Sequence, residues 1–136
     1  MATNVDKLRE AYRIWGESRG GDARPWLALV SDDFVFRSVG EEPALGFSGV
    51  HSGASQLTRY FDAILADWRM EFYQVDALFG DEDQVAMFGT CGWTHRKTGA
   101  TVTTPIANLW RFRDGKAYEC VEIFDSARAV AAATSA

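Results

Sequence analysis

The second half of the chain leaves little choice of architecture. Four long runs, residues 69–79, 85–95, 101–113 and 117–125, are separated only by GDED, RKTG and DG. Each break is a turn signal, and the runs between them alternate with the period of two expected of strands. Connections this short join antiparallel neighbours, because a parallel pair needs a crossover of a dozen residues or more. Helical patterns are confined to the front of the chain. Helices first and long hairpins after give an α+β layer, not a doubly wound sheet.

The first helix is predicted over residues 4–18. Val5, Leu8, Tyr12 and Trp15 recur at helical spacing, Thr3 with Asp6 fits a capping box, and Gly20 and Gly21 stop the helix. Asp22 can cap a second, short helix with Pro25 in its first turn and Trp26, Leu29 and Val30 on its apolar side. Residues 34–39 read as a strand. Residues 40–53 read as a loop with a small hairpin around Phe47. A third helix, capped near Ser52, buries Leu57, Phe61, Ile64, Leu65 and Trp68. The Ala-rich end, residues 127–136, reads as a short helix or frayed tail of one domain spanning residues 1–136.

With 47% hydrophobic and 13% aromatic residues the 136-residue chain has a globular composition. A net charge of −5 offers no basic excess for phosphates, so nucleic acid is not an expected partner. No stretch reaches the length of a membrane span, and residues 1–10 lack an apolar signal region. Cys91 and Cys120 form no CxxC motif and are expected as reduced thiols in the cytoplasm. His51 and His95 are the only histidines and lie far apart, so no metal motif is recognised, and no cofactor is called for.

One face of the 101–113 strand carries Val102, Thr104, Ile106, Asn108, Trp110 and Phe112. A buried amide without partners costs about 1–3 kcal/mol, so Asn108 either has a structural partner or faces a ligand. Two hairpin registers are open. A two-residue turn at Asp114 and Gly115 sets Asn108 opposite Val121. A three-residue turn with a bulge sets it opposite Cys120 and aligns Tyr118, Cys120, Glu122 and Phe124 with the Asn108 face. The second gathers the aromatic residues and is preferred. It also brings Glu122 into an aromatic chamber, where a carboxyl pKa rises into the range of acid/base work. Tyr12, Trp15, Phe36, Ser38, Phe61 and Trp110 complete the expected lining for a small hydrophobic ligand. His51, just before the third helix, is a second candidate acid/base. His95, at the outer end of a hairpin, is expected exposed. The opposite face, with Ala107, Leu109, Val121 and Ile123, is expected to pair two copies as a homodimer.

The strings LVSDDFVFRSVG, GFSGVHSGASQLTRYF and TGATVTTPIANLWRFRDGKAYECVEIFD resemble the nuclear transport factor 2-like superfamily, and within it ketosteroid isomerase and SnoaL-like proteins. The resemblance runs from about Leu8 to Ala129. It implies a cone-shaped curved sheet wrapped on the helices, with a pocket inside and frequent dimers. Ketosteroid isomerase uses an aspartate base with a tyrosine and a protonated aspartate as oxyanion hole. Matched on these strings, the base position falls on Ser38, the oxyanion aspartate on Asn108, and the oxyanion tyrosine near Ile14, with Tyr12 and Trp15 close by. A further pocket tyrosine falls on Phe61, beside Tyr60. Steroid isomerisation by that route is not expected, because a serine does not accept a proton as a carboxylate does. SnoaL-like cyclases place an acid/base aspartate late in the chain, where Asp125 or Glu122 stands.

Three functions follow as expectations. In the first, an isomerase, cyclase or hydratase acts on a small hydrophobic carbonyl compound, with Glu122 or His51 moving the proton and Asn108 holding an oxygen. In the second, the chain binds such a ligand without chemistry, and in the third it is a dimerisation module. A shared fold does not choose among them.

Overall fold

The computed structural model describes residues 2–40 and 43–135. Helix α1 (Asn4–Glu17) starts at the capping box: the Thr3 hydroxyl accepts from the Asp6 amide, and the Asp6 carboxylate accepts from the Thr3 amide. It ends where Gly20, at φ 79°, returns its amide to the Trp15 carbonyl. The short helix α2 (Arg24–Leu29) follows, its first turn holding Pro25 and its Arg24 amide bonded to Asp22. Helix α3 (Ala54–Asp67) has Gly53 rather than Ser52 at its N-cap, with no side-chain cap. Trp68, expected at its end, opens a strand instead.

Six strands form one curved, unclosed sheet in the order β2-β1-β6-β5-β4-β3. They are β1 (Val30–Ser38), β2 (Gly49–Ser52), β3 (Trp68–Gly80), β4 (Gln84–His95), β5 (Thr101–Arg113) and β6 (Lys116–Phe124). β3 to β6 are the expected antiparallel meander. The front of the chain adds two features. β2 pairs with β1, and β1 joins β6 in parallel, so the sheet is mixed. That parallel pairing is made through Phe36↔Cys120 and Ser38↔Glu122.

Bulges curl the sheet. β3 shifts register against β4 between Met70 and Phe72 and again between Val75 and Ala77. At the second shift Gly89 lies so close to the Gln74 carbonyl that no Cβ would fit. α1 and α3 lie in the concave side of the curl, where Leu8, Phe34, Met70, Val85 and Met87 are fully buried. The last helix, α4 (Ser126–Ala133), is capped by the Asp125 carboxylate and buries Ala129 and Ala132 against the sheet. No described helix is long and apolar enough to cross a membrane.

Candidate functional site

The β5–β6 hairpin decides which side chains share the concave face. Its turn is the two-residue form: Arg113 pairs with Lys116, and Asp114 and Gly115 both have positive φ, as a type I′ turn requires. A bulge at Tyr118 then slips the register by one residue, so that Asn108 stands opposite Glu122 rather than Val121 or Cys120. Turn and bulge together restore the parity expected for Cys120, Glu122 and Phe124. Tyr118 itself is displaced by the bulge. Its ring lies under the Arg113 guanidinium at 4.8 Å on the outside, away from the chamber.

The concave face closes into an apolar hollow of about 80 Å³. α1 contributes Tyr12 and Trp15, α3 contributes Tyr60 and Phe61, and the sheet contributes Phe36, Trp110, Cys120 and Phe124 around the Asn108 and Glu122 pair. Aromatic edges and faces hold these walls. Trp26 stacks on Trp110 at 5.3 Å between centroids, and Tyr12 meets Trp26 edge-on at 4.8 Å.

Six side chains at the chamber's floor share one directed network. The Trp110 indole donates to the Tyr12 hydroxyl at 2.8 Å. Tyr12 donates to Asn108 Oδ1 at 2.5 Å. The Asn108 amide nitrogen donates to the Ala107 carbonyl and to Glu122 Oε1, at 3.2 and 3.3 Å. Tyr60 donates to Glu122 Oε2 at 3.1 Å, and Ser38, behind the carboxylate, donates to the same oxygen at 3.4 Å. An indole N–H only donates and an ionised carboxylate only accepts, so the two ends of the network set the direction of the bonds between them. Asn108 must present its oxygen to Tyr12 and its nitrogen to Glu122. Oε1 therefore faces a group that cannot accept, whereas Oε2 faces two hydroxyls that can turn and accept. A proton on Oε2 would keep its hydrogen-bond partners, because both hydroxyls can turn to accept it.

Glu122 is only 7% exposed. Burial raises its pKa above the ordinary carboxyl value of 4.5, opposed by the hydrogen bonds from Asn108, Tyr60 and Ser38. Burial also pushes the Tyr12 and Tyr60 phenols well up, so both remain donors at neutral pH. The Cys91 thiol is raised to about 12 by burial, and Cys120 is raised by burial and by Glu122, which leaves neither thiol nucleophilic.

The other candidates stand elsewhere. His51, on β2, bonds its ring Nε2 to the Phe47 carbonyl at 2.8 Å and packs behind Phe36 and Tyr60, with no bond to Glu122 or Asn108. Asp125 is engaged as the cap of α4 and pairs with Arg128 at 3.2 Å. His95 is buried rather than exposed, its ring edge-on to Trp68 at 4.8 Å.

Two tyrosines of the site escaped the sequence. Tyr60 is adjacent to Phe61 and shares the buried side of α3 with Leu57 and Ile64, a spacing that could have revealed it. Tyr73 could not be found by alternation. Counting by twos from Met70 puts Phe72 inside, but the bulge at Glu71 turns Phe72 out and Tyr73 in.

The sequence model described as the SnoaL-like domain matches residues 8–120. No curated protein matches the chain. An NTF2-like protein of unknown function from Burkholderia pseudomallei is 22% identical with a TM-score of 0.83, over 99% of this chain and 100% of its own. A SnoaL-like polyketide cyclase, so named, from Mesorhizobium loti is 19% identical with a TM-score of 0.74, over 90% of this chain and 99% of its own. A protein from Catenulispora acidiphila with a ketosteroid isomerase-like fold, in complex with trimethylamine, is 12% identical with a TM-score of 0.73, over 94% of this chain and 92% of its own. At these identities the likeness is one of fold.

Proposed function

The chain belongs to the SnoaL-like domain family, within the NTF2-like superfamily, and we propose that it catalyses proton transfer on a small hydrophobic carbonyl compound, with Glu122 as the acid/base. One observation carries this reading: a single carboxylate, buried in an aromatic chamber, receives hydrogen bonds from three side chains on three different elements. Burial makes it a stronger base than an exposed carboxylate, and the three donors keep it aimed. The fold relatives named as a cyclase and as isomerase-like are consistent with enolate chemistry.

The step balances within the chamber. Glu122 Oε2 takes a proton from carbon next to a carbonyl. The C–H electron pair becomes the enolate C=C bond, and the negative charge moves to the carbonyl oxygen. The protonated carboxyl returns the proton at another carbon for an isomerisation; for a cyclisation the enolate carbon attacks a second carbonyl of the same molecule, whose C=O π pair moves to its oxygen, and that oxygen takes the proton back from the carboxyl. Asn108 spends both amide hydrogens on Ala107 and Glu122, so its role here is to hold the base. The hollow is smaller than the ~150 Å³ apolar cavity known to take up benzene. The substrate is thus compact, or its entry moves wall side chains.

Cyclopentanone tests the proposal. In D2O the wild-type protein is expected to speed exchange of its α-hydrogens, read by proton NMR, and E122Q to lose this while still binding the ketone. Full exchange by E122Q would remove Glu122 from the reaction. Binding by both proteins with exchange by neither would favour the second reading, a non-catalytic binder, for which Ser38 at the base position speaks.

We further propose that two copies pair through the convex face. Phe88, Ala107 and Ile123 stand in one cross-strand row, and Phe79, Ala86, Leu109 and Val121 in the next. Phe79, Phe88 and Ile123 are each more than half exposed, an apolar surface of the kind a second subunit covers.

A further inference from the structure

One hydroxyl on the chamber wall has no partner among the described residues. Four hydroxyl side chains line the hollow: Tyr12, Tyr60, Tyr73 and Thr104. Tyr12 donates to Asn108, Tyr60 to Glu122, and Thr104 to the Pro105 carbonyl while accepting the Asp125 amide. Tyr73 has no hydrogen-bond partner among the described residues, although its ring is firmly placed. The ring stacks on Tyr12 at 5.9 Å with planes 21° apart. Its strand position is paired with Cys91, another lining residue. Gly16 of α1 lies against its backbone, where an added Cβ would come within 3.0 Å of the Tyr73 carbonyl oxygen.

We infer that Tyr73 is the donor that binds the ligand's oxygen, opposite the proton-carrying Glu122 in the same chamber. The inference rests on the reading of that chamber as a carbonyl-compound site. Half-buried on the chamber wall and bonded to no described protein group, the phenol has an uncommitted donor to offer an oxygen that enters the hollow. Glu122, Tyr12, Cys91 and Tyr60 are the groups whose charge the phenol feels, and its own ionisation is suppressed chiefly by burial, so it stays a donor. In the enolate step the carbonyl oxygen gains negative charge, and a fixed phenol strengthens its bond as that charge develops. Tyr12 cannot take this part without abandoning Asn108. The ligand class is therefore a compound whose oxygen accepts a hydrogen bond while an adjacent C–H, on the far side of the carbonyl carbon, meets Glu122 Oε2.

The test compares cyclopentanone with methylenecyclopentane, which replaces the oxygen by a CH2 group, in the wild-type, Y73F and E122Q proteins, with binding followed by NMR titration. Y73F is expected to weaken cyclopentanone roughly tenfold or more and to leave methylenecyclopentane unchanged. It is also expected to slow α-hydrogen exchange without moving the pH at which exchange sets in, because Glu122 is untouched. Its thermal midpoint should match the wild type, since no bond is lost. Equal weakening of both compounds would mean Tyr73 only fills space, and equal cyclopentanone affinity in Y73F and wild type would mean it does not touch the oxygen. Either result overturns the inference, and loss of exchange in E122Q would still uphold the Glu122 reading. Failure of the wild-type protein to take up either compound overturns both.

Discussion

Glu122 and Ser38 are register partners across the parallel β6–β1 pair, with the serine hydroxyl 3.4 Å from carboxylate Oε2. The family resemblance puts a catalytic carboxylate at position 38. Here position 38 is a serine outside the lining of the hollow, and the chamber's carboxylate, Glu122, stands one strand over, on β6.

That neighbourhood makes a second carboxylate costly. In S38D two carboxyl groups would share the space now occupied by one hydrogen bond, and like charges so close do not both ionise. S38D is expected to lose stability progressively as pH rises above the ordinary carboxylate range, and S38D/E122Q to recover it. Urea melts across pH check this; additive effects of the two substitutions would show that the side chains do not interact.

The wild-type protein carries its own pH signature. The pKa of Glu122 is raised in the folded state, so the native protein binds more protons than the unfolded chain between 4.5 and the folded value. Its contribution to stability is complete below about 4.5 and is lost as pH rises through the folded pKa. E122Q should flatten this decline. A wild-type minus E122Q stability difference that does not change with pH would contradict it.

Tyr12 and Tyr73, stacked on each other, should respond differently to the same substitution. Y12F strands Asn108 Oδ1 and leaves the Trp110 indole without its acceptor, so a loss of about 1–3 kcal/mol is expected in denaturant unfolding. Y73F should cost almost nothing. Equal losses would mean the polar chain does not stabilise the floor.

The convex face gives a test of assembly. F88E places a charge at the β4 end of the row formed with Ala107 and Ile123. Light scattering on eluting protein should find a dimer for the wild type and a monomer for F88E. A wild-type monomer at micromolar concentration would end the dimer proposal.

Where the sequence was legible, local chemistry decided the outcome. The capping box at Thr3 and Asp6, the glycine stop of α1, and the DG turn of the last hairpin were all visible in the residues. The parity that puts Asn108 and Glu122 on one face was reached as well, but through a different register. A bulge at Tyr118 does what a longer turn was expected to do, and it carries Tyr118 out of the chamber. Bulges add a residue without a sequence signature, which is also why Tyr73 was hidden. β2 and the parallel β1–β6 pairing were missed because they depend on distant partners rather than on alternation. The fate of His51 was set by one nearby carbonyl, that of Phe47, which no spacing rule identifies.

Everything proposed for the chamber turns on the protonation of one side chain. A carbon-13 NMR titration of Glu122, assigned by the signal missing from E122Q, measures it directly. The expected midpoint lies above 4.5, the ordinary value, with the shift reporting burial. A midpoint at or below that value would show a solvated or ion-paired carboxylate and would contradict the acid/base role given to it.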